Sequence, residues 1–390
     1  MGSVTALVGA QFGSEGKGLV AAKMAWDYDV HVRTGAPNAG HTYYDLIGNK
    51  IVARSVPCGA LNPDAKLILG PGAFIDLELL ASEIEGLEAL GWVIRDRLFI
   101  DASASLIHPV RHHQLEGGVH GDAHRLIGST GEGVGPARMA RLARGTFPRD
   151  QAWARLELVG DATQGAERLG TICDTAKLVN DLYDAGSDIM LEGTQGSGLS
   201  VVHGPWPYVT STDTNAGQMA TDAGLAPGLV DEVILVARTF PIRVAGNSGP
   251  LPRETEWALV GQAEERTTVT KKVRRVGWFH EETVRRAMML NRPRSLVLTF
   301  LDYLFPSDAG AEQWMHLSDE AREFVASFEI KMGIDVSAVG TGPDSMPVNS
   351  GIDRTGPAGR FLSSSPQDVP GRYWPAHGEA YDADAPVVAS

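Results

Sequence analysis

Short runs of apolar residues alternate with longer amphipathic segments along most of the chain. Seven runs are almost entirely apolar, which predicts strands that are buried on both faces of a sheet. These strands cover Val4–Gly9, Val30–Arg33, Lys66–Gly70, Leu98–Asp101, Asp188–Glu192, Glu232–Arg238 and Ser295–Leu301. Five segments carry apolar residues at three- and four-residue spacing, which predicts helices. These helices cover Gly18–Ala25, Asp76–Leu90, Ile172–Ala185, Glu281–Leu290 and Ser318–Lys331.

The alternation of strands and helices predicts an α/β fold with a mostly parallel central sheet flanked by helices. Open sheets of this kind bind ligands in the loops that follow their strands, so we expect the glycine-rich loops to carry the function. The chain has no internal repeat. We expect residues 1–345 to form a single domain. After about Met346 the pattern gives way to Gly, Pro, Ser and Asp, and residues 346–390 are interpreted as a wrapping or flexible tail.

Composition narrows the possible functions. The chain has 390 residues, of which 43% are hydrophobic, and its formal net charge is −14. This negative charge argues against a nucleic-acid-binding protein, so local positive groups must hold any anionic ligand. No signal peptide or apolar run of membrane-spanning length is present in the sequence, which predicts a cytoplasmic protein without a membrane partner. Cys58 and Cys173 are expected to be reduced core thiols.

The strongest chemical signal is the loop QFGSEGKG at residues 11–18, directly after the first predicted strand. Its glycines allow tight turns whose amides converge on an anion, and Lys17 adds a positive charge at a helix start. These features predict a phosphate-binding loop. It is not a Walker A loop, because Gln11 and Gly18 replace the Gly and the Ser or Thr of that motif.

Further blocks follow in order along the chain. They are RTGAPNAGHT at residues 33–42, IGSTGEGVGP at 127–136, LEGTQG at 191–196, HGPWPYVTS at 203–211, TKKVRRVGW at 270–278, LTFLD at 298–302 and GTGPD at 340–344. Together with the phosphate loop, they resemble the adenylosuccinate synthetase family over roughly residues 4–345. That family, whose fold is related to P-loop GTPases, comprises C–N ligases that couple a 6-oxopurine nucleotide to L-aspartate at the expense of GTP.

The resemblance implies a two-step reaction. The purine 6-oxygen attacks the γ-phosphate of a triphosphate, and the aspartate amine then displaces the phosphate. Mg²⁺ is the implied cofactor, with Ser14 and Gly40 at the metal-ligand positions. Ser14, Lys17, His41 and Gln195 take the catalytic positions, with His41 as the proton donor to the departing diphosphate and Gln195 as the partner of the 6-oxygen. Outside its motif, His41 would be interpreted as a structural loop histidine.

The remaining implied positions form three groups. The triphosphate-binding positions are Gly13, Glu15, Gly16, Lys17, Gly18, Gly40, His41, Thr42, Phe300, Asp302, Gly342 and Pro343. The nucleoside-monophosphate positions are Ser14, Asn38, Thr130, Arg144, Gln195, Leu199, Thr210 and Val244. The aspartate positions are Thr270, Lys272 and Arg274. In the family, the arginine at the Arg144 position comes from the other subunit, which implies a homodimer with shared sites.

Two departures from the family pattern bear on substrate choice. Ser14 stands where the family has the Asp that removes the purine ring proton and helps to hold magnesium, and a serine is uncharged and a poor base. Its small size leaves room for the 2-amino group of guanine, which makes the chain similar to the viral branch that couples dGMP to aspartate. Phe300 replaces the Lys that covers the guanine of GTP, so ATP or dATP is favoured as the donor, while Asp302 leaves GTP open.

Three functions stay open on the sequence. The first is a ligase that forms succino-2-amino-2′-deoxyadenylate for 2-aminoadenine DNA, which in a viral protein would act in the host cytoplasm. The second is an ordinary adenylosuccinate synthetase acting on IMP with GTP. The third is a non-catalytic nucleotide-binding protein. Ser14 also suits a helix N-cap, which is compatible with either enzyme. Glu132 in place of the family's Arg, and Lys271 and Lys272 in the aspartate loop, have no predicted effect.

Several histidines precede the second glycine-rich block and raise the hypothesis of a metal site. They are His108, His112, His113, His120 and His124. His120 and His124 are four residues apart and could share one face of a helix. Nearby glycines make a regular helix doubtful, and no cysteine accompanies the histidines, so the sequence disfavours a zinc site there.

Overall fold

A computed structural model describes residues 1–108, 126–144, 158–267 and 271–349 of the chain. Within these ranges the strands, numbered in chain order, are β1 (Val4–Gly9), β2 (Val30–Arg33), β3 (His41–Tyr44), β4 (Lys50–Ala53), β5 (Lys66–Leu69), β6 (Phe74–Ile75), β7 (Leu98–Asp101), β8 (Ser105–Leu106), β9 (Thr171–Cys173), β10 (Ile189–Glu192), β11 (Glu232–Arg238), β12 (Ile242–Arg243), β13 (Glu254–Thr255), β14 (Arg275–Gly277), β15 (Ser295–Thr299) and β16 (Asp335–Val339). The α-helices are α1 (Lys17–Lys23), α2 (Leu77–Ala89), α3 (Val134–Ala143), α4 (Thr163–Ala166), α5 (Thr175–Ala185), α6 (Ala216–Ala223), α7 (Trp257–Val260), α8 (Glu281–Asn291) and α9 (Asp319–Met332).

Nine of these strands form one sheet, in the order β16-β15-β11-β1-β10-β2-β5-β7-β9. Every neighbouring pair in this sheet is parallel. The predicted α/β fold with a mostly parallel central sheet is therefore confirmed. Because all nine strands run in one direction, the loops after them lie along the same edge of the sheet.

The side chains of the central strands alternate between two cores, one on each face of the sheet. Along β1, Val4, Ala6 and Val8 belong to one buried cluster, whereas Leu7 belongs to the other. Helices α5, α6, α8 and α9 contribute to the first cluster, and α1 and α2 contribute to the second. Both faces of the sheet are thus covered by helices, which explains the nearly continuous apolar runs in the sequence.

The helix predicted over Ile172–Ala185 is wrong at its start. Ile172 lies in β9, where it pairs with Ile100 of β7. The helix begins only after Asp174, whose carboxylate accepts a hydrogen bond of 2.9 Å from the backbone N–H of Lys177. Ile172 continues the apolar spacing of the helix by chance, and the capping residue rather than the spacing sets the boundary.

Four helices and two strands of the central sheet were not predicted, namely α3, α4, α6, α7, β9 and β16. Helix α6 has eight residues, begins after the capping side chain of Asn215 and ends at Gly224, which has a φ of 82°. Helix α3 begins inside the glycine-rich block of residues 127–136. Short helices next to glycines carry too few apolar repeats for periodicity to reveal them.

The first residues of the predicted tail lie against the sheet. Val348 forms an antiparallel bridge with Ala338 of β16, and the backbone N–H of Asn349 donates to the carbonyl of Ser337 at 2.9 Å. Residues 350–390 lie outside the described residues. None of the helices in the described part of the chain has both the length and the apolar character needed to cross a membrane.

Candidate active site

A cavity of about 990 Å³ lies where the loops after β1, β2, β10, β12, β15 and β16 meet. Most of the predicted site residues line it. They are Gly13, Ser14, Glu15, Gly16, Lys17, Gly18, Asn38, Gly40, His41, Thr42, Thr130, Gln195, Leu199, Thr210, Val244, Lys272, Arg274, Phe300, Asp302, Gly342 and Pro343. The fold thus brings to one place residues that are up to about 330 positions apart in the sequence.

Two predicted positions are not among the lining residues. Thr270 lies outside the described residues. Arg144 directly follows α3, with a φ of 53°, and its side chain is exposed. Of the histidines considered as a metal site, only His108 belongs to the described residues, and the other four lie outside them.

The phosphate loop is held in shape by the side chain of Glu15, which is fully buried. Its Oε1 accepts hydrogen bonds from the backbone N–H groups of Gln11 at 3.1 Å and Gly13 at 2.8 Å. Its Oε2 accepts from Lys17 Nζ at 2.6 Å. The amide side chain of Gln11 pairs with the backbone of Arg238 on β11, with both bonds at 3.0 Å. Gln11 therefore anchors the loop to the sheet.

Lys17 is buried at the start of α1, and its Nζ donates to Glu15 and to the backbone carbonyl of Gln195. Gln195 has a φ of 63°, in the left-handed region. This backbone conformation turns the chain after β10 toward the phosphate loop. The two predicted catalytic residues Lys17 and Gln195 are therefore in direct contact.

Ser14 is exposed to the cavity and has a φ of 58°. Its hydroxyl accepts a hydrogen bond from Arg274 Nη1, and its carbonyl accepts one from Arg238 Nη1 at 3.2 Å. The N-cap of α1 is Gly16, with no side-chain hydrogen bond at the cap. The alternative in which Ser14 caps this helix is therefore wrong.

Gly18 allows α1 to approach the strand that carries His41. A Cβ atom at Gly18 would lie 2.8 Å from His41 Cβ and 2.9 Å from the carbonyl oxygen of Thr42. Both distances are too short for any side chain. The close packing of α1 against β3 thus requires glycine at position 18, where the Walker A pattern has Ser or Thr.

Behind the cavity, His41 belongs to a buried polar network with Arg33, Cys58 and Glu192. Glu192 Oε1 lies 2.6 Å from His41 Nδ1 and 2.5 Å from Arg33 Nη1. Burial, followed by the charge of Arg33, lowers the pKa of His41 to about 4. In the absence of ligands, His41 is therefore neutral near pH 7.

His41, Cys58 and Glu192 have the side-chain types of a metal site, and their ligand atoms lie within 4.8 Å of one another. The guanidinium of Arg33, however, already neutralises Glu192. A metal ion would have to share that carboxylate with a second cation, which is costly in a buried setting. We therefore interpret this group as a hydrogen-bonded network.

On the opposite side of the cavity, Phe300 follows β15 with a φ of 61°, which ends the strand two residues earlier than predicted. The guanidinium of Arg238 lies 3.8 Å from the centre of the Phe300 ring. Arg238 also forms an ion pair with Glu265, and the hydroxyl of Tyr303 donates to Glu265 Oε1 at 3.1 Å. Phe300 is thus fixed from one face by a charged and hydrogen-bonded group.

Asp302 lines the same side of the cavity. Burial raises the pKa of its carboxyl group above the ordinary value. A hydrogen bond from a nucleotide amino group would favour the ionised form, so the position suits a polar contact with a base.

Glu132, at the position of a family Arg, does not line the cavity. Its carboxylate forms an ion pair with Arg54, and Arg54 Nε donates to the carbonyl of Pro37 at 2.6 Å. Pro37 precedes the predicted ligand residue Asn38. Glu132 therefore supports a loop of the cavity through Arg54.

Sequence reasoning missed four residues of the site, namely Arg33, Glu192, Arg238 and Glu265. Arg33 and Glu192 are the first charged residues of motifs that were recognised, and both end apolar strands, which is the signal that could have found them. Arg238 and Glu265 lie between the recognised blocks. Arg238 ends the apolar strand β11, so the same signal could have found it, whereas nothing local in the sequence distinguishes Glu265 from a surface charge.

The parallel sheet, the phosphate loop and the cavity define an α/β enzyme that binds phosphorylated ligands at the ends of its strands. The sequence profile of the family described as adenylosuccinate synthetase matches residues 6–155 and 148–309. The chain belongs to this family of C–N ligases, as its motifs predicted.

Similar proteins include the adenylosuccinate synthetase of Methanococcus vannielii, which is 37% identical over 347 residues. That alignment covers 87% of this chain and 96% of the relative. The adenylosuccinate synthetase of Thermococcus sibiricus is 36% identical over 341 residues, which cover 87% of this chain and 95% of the relative.

Two solved structures are similar in fold. One is the succinoaminodeoxyadenylate synthetase of cyanophage S-2L bound to dGMP and to dATP as an energy donor, with a TM-score of 0.74 and 28% identity over 89% of this chain and 95% of that one. The other is the fully ligated adenylosuccinate synthetase of Plasmodium falciparum, with a TM-score of 0.75 over 90% of this chain and 100% of that one. At 21% identity, the second supports the fold alone.

Proposed function

We propose that this protein couples dGMP to L-aspartate, with hydrolysis of a nucleoside triphosphate, to form succino-2-amino-2′-deoxyadenylate. The observation that carries the proposal is Ser14, a small neutral residue at the cavity end of the phosphate loop. Its hydroxyl already accepts a hydrogen bond from Arg274, and no carboxylate stands at this position. The product is a precursor of 2-aminoadenine for DNA.

The charges around Ser14 support a substrate that carries an extra amino group. Three carboxylates line the cavity in the described part of the chain. Glu15 is saturated by two amides and Lys17, Glu265 is paired with Arg238, and Asp302 follows Phe300 after β15. None of them stands at position 14, so no acidic side chain at that position crowds a 2-amino group. The similarity to the cyanophage enzyme bound to dGMP supports the same choice.

The surroundings of Phe300 favour an adenine donor. The aromatic ring offers a flat surface, and Arg238 covers one of its faces, which leaves the other for stacking of a base. No lysine stands there to cover a guanine. ATP or dATP is therefore the proposed donor, and dATP is the donor bound in the cyanophage enzyme.

Mg²⁺ is the proposed cofactor, as in this family of synthetases. Gly40 lines the cavity, and a backbone carbonyl oxygen there suits a cation that is held mainly by phosphates and water. Ser14 is the second proposed position, and there its hydroxyl would have to leave Arg274. When bound, the metal neutralises charge on the transferred phosphate.

The remaining proposed roles follow the family positions. Gln195 holds the purine 6-oxygen, Lys17 the phosphates, and Lys272 and Arg274 the carboxylates of aspartate. We also propose a homodimer in which Arg144 of the partner subunit completes the monophosphate site. The exposure of Arg144 outside its own cavity supports that arrangement.

The second candidate is an ordinary adenylosuccinate synthetase that uses IMP and GTP. The observation that favours it is the sequence identity of 36–37% to archaeal enzymes of that name, over 87% of this chain. With either nucleotide, a group other than Ser14 must take the proton from the purine ring nitrogen, because guanine and hypoxanthine both carry it.

The experiment that tests the proposal measures product formation with aspartate and Mg²⁺. It crosses dGMP, GMP and IMP with ATP, dATP and GTP, and identifies the succinyl product by mass. We expect turnover with dGMP and an adenine donor. Turnover mainly with IMP and GTP would establish the second candidate, and nucleotide binding without product would indicate a non-catalytic protein.

A further inference from the structure

We propose that Glu192 is a positioning residue that holds the imidazole of His41 with Nδ1 toward the protein interior and Nε2 toward the phosphates of a bound triphosphate. His41 Nδ1 lies 2.6 Å from Glu192 Oε1, and both side chains are buried. His41 also lines the cavity. The inference rests on the synthetase reaction proposed above, but not on which purine nucleotide the enzyme uses.

Three donors besides His41 fix the carboxylate of Glu192. Arg33 Nη1 donates to Oε1 at 2.5 Å, and the backbone N–H of Cys58 donates to Oε2 at 2.7 Å. The thiol of Cys58 donates to Oε1 at 3.2 Å. A carboxylate held by this many donors has a single orientation, and its Oε1 is aimed at Nδ1 of His41.

Arg33 also keeps this carboxylate ionised. Burial by itself raises the pKa of Glu192, but the guanidinium of Arg33 and the contact with His41 together hold it well below its usual range. An ionised carboxylate can only accept hydrogen bonds. Arg33 Nη1 lies 3.1 Å from His41 Nδ1 but only 2.5 Å from Glu192 Oε1, so it donates to the carboxylate. The carboxylate then favours the imidazole tautomer that carries its proton on Nδ1. A neutral amide at this position could donate instead and would not select that tautomer.

The ring nitrogen that faces the cavity decides what His41 can do there. With Nδ1 held by Glu192, Nε2 is the nitrogen left to meet the oxygen between the β- and γ-phosphates. His41 can donate a proton from Nε2 only when both ring nitrogens are protonated, and the ionised carboxylate of Glu192 stabilises that cation through Nδ1. An unrestrained imidazole could turn about its Cβ–Cγ bond and present a carbon at that place. Glu192 therefore contributes orientation without touching the substrate, as carboxylates do behind other catalytic histidines.

The test compares wild-type protein with Glu192→Gln and with the matched control Cys58→Ala. Glu192→Gln keeps the size of the side chain but removes its charge. Cys58→Ala removes another contact to the same carboxylate, while the pair of Glu192 and His41 stays intact. The measurements are kcat and KM with the nucleotide pair that the enzyme turns over fastest, and the NMR signal of the His41 Nδ1 proton.

We expect Glu192→Gln to lower kcat by at least about tenfold, while each KM changes by less than about twofold. A merely structural carboxylate would instead change stability and binding together. A strongly downfield Nδ1 proton signal is expected in wild-type protein and in Cys58→Ala, and its loss is expected in Glu192→Gln. Unchanged kcat in Glu192→Gln would overturn the proposal.

The NMR measurement decides the matter on its own if Glu192→Gln does not fold or if no substrate is turned over. In wild-type protein with ¹⁵N-labelled histidine, the His41 signals are assigned by their loss in His41→Gln. A proton on Nδ1 supports the inference, and a proton on Nε2 alone overturns it. Because this measurement needs no substrate, it separates failure of the inference from failure of the proposed function.

Discussion

The guanidinium of Arg274 donates a hydrogen bond to the hydroxyl of Ser14, across 260 positions of the chain. This contact joins the phosphate loop to the loop proposed to hold aspartate. Arg238 makes a second contact to the same residue, through the carbonyl of Ser14. Two cations thus converge on a neutral residue, at a point where a carboxylate would form an ion pair.

This relationship predicts the effect of Ser14→Asp. The new carboxylate would pair with Arg274 and take the space proposed for the 2-amino group of the purine. We therefore expect the ratio of kcat/KM for dGMP to kcat/KM for IMP to fall by at least about tenfold. The measurement uses saturating aspartate and the best donor. An unchanged ratio contradicts the account of dGMP preference based on Ser14.

Ser14→Asn is the control for this variant, because asparagine has the size of aspartate but neither its charge nor its basicity. Activity with dGMP is expected to fall in both variants. Activity with IMP is expected to rise only in Ser14→Asp. If both variants gain IMP activity equally, the size of the side chain at position 14, and not its basicity, determines the preference between dGMP and IMP.

Phe300→Leu tests the proposed donor site. The ring rests on Arg238 at 3.8 Å and meets the Tyr303 ring at 5.1 Å, so it is held as a rigid surface. Stacking of a base on such a ring contributes about 1–3 kcal/mol. We expect the KM for the adenine donor to rise about tenfold, while the KM for dGMP stays the same. Tyr303→Phe keeps the ring contact but loses the bond to Glu265, and an equal effect in that control would argue against stacking.

The sheet could be predicted from the sequence because each of its long strands is apolar on both faces, as Val4–Gly9 is. The cavity residues could be predicted because glycine-rich loops are recognisable locally. The partners of these residues could not be predicted. Arg238 meets Glu265 only because β11 ends beside a loop 27 residues later, and no periodicity in the sequence encodes that contact. The left-handed conformation of Phe300 was equally hidden, since bulky residues rarely adopt it.

Glu15→Gln tests how strongly the phosphate loop depends on its buried carboxylate. The variant keeps an acceptor for the amides of Gln11 and Gly13 but leaves Lys17 buried without its partner charge. Breaking a buried ion pair in this way costs about 3–5 kcal/mol. This cost is measured as the decrease in the free energy of unfolding in urea. Glu264→Gln removes an exposed pair with Arg266 and should cost less than about 0.5 kcal/mol. Equal costs would contradict the structural role of Glu15.

His31 makes stability depend on pH. Its ring is fully buried, Nε2 lies 3.1 Å from the carbonyl of Ala25, and Gly59 packs so closely that a Cβ there would lie 2.0 Å from the ring. Burial lowers the pKa of His31 below 6.5. At pH values between that lowered pKa and 6.5, His31 therefore binds a proton in the unfolded chain but not in the folded protein.

The free energy of unfolding is thus expected to decrease as pH falls below 6.5, by up to about 1.4 kcal/mol per pH unit for this group. In His31→Gln this contribution should disappear. The measurement is the difference between the wild-type and variant unfolding free energies at several pH values from 5 to 7.5. A difference that does not change with pH would show that His31 does not titrate as its burial requires.

The proposed dimer predicts that two inactive variants restore activity when mixed. Arg144 is exposed after α3 and does not line the cavity of its own chain, whereas His41 does. If Arg144 of the partner subunit completes the site, a mixed dimer of Arg144→Leu and His41→Asn has one site with both defects and one intact site. An equal mixture should then recover about one quarter of wild-type activity, because about half of the dimers are mixed. If Arg144 instead acts within its own chain, every site in the mixed dimer carries one defect, and the mixture stays as inactive as either variant alone.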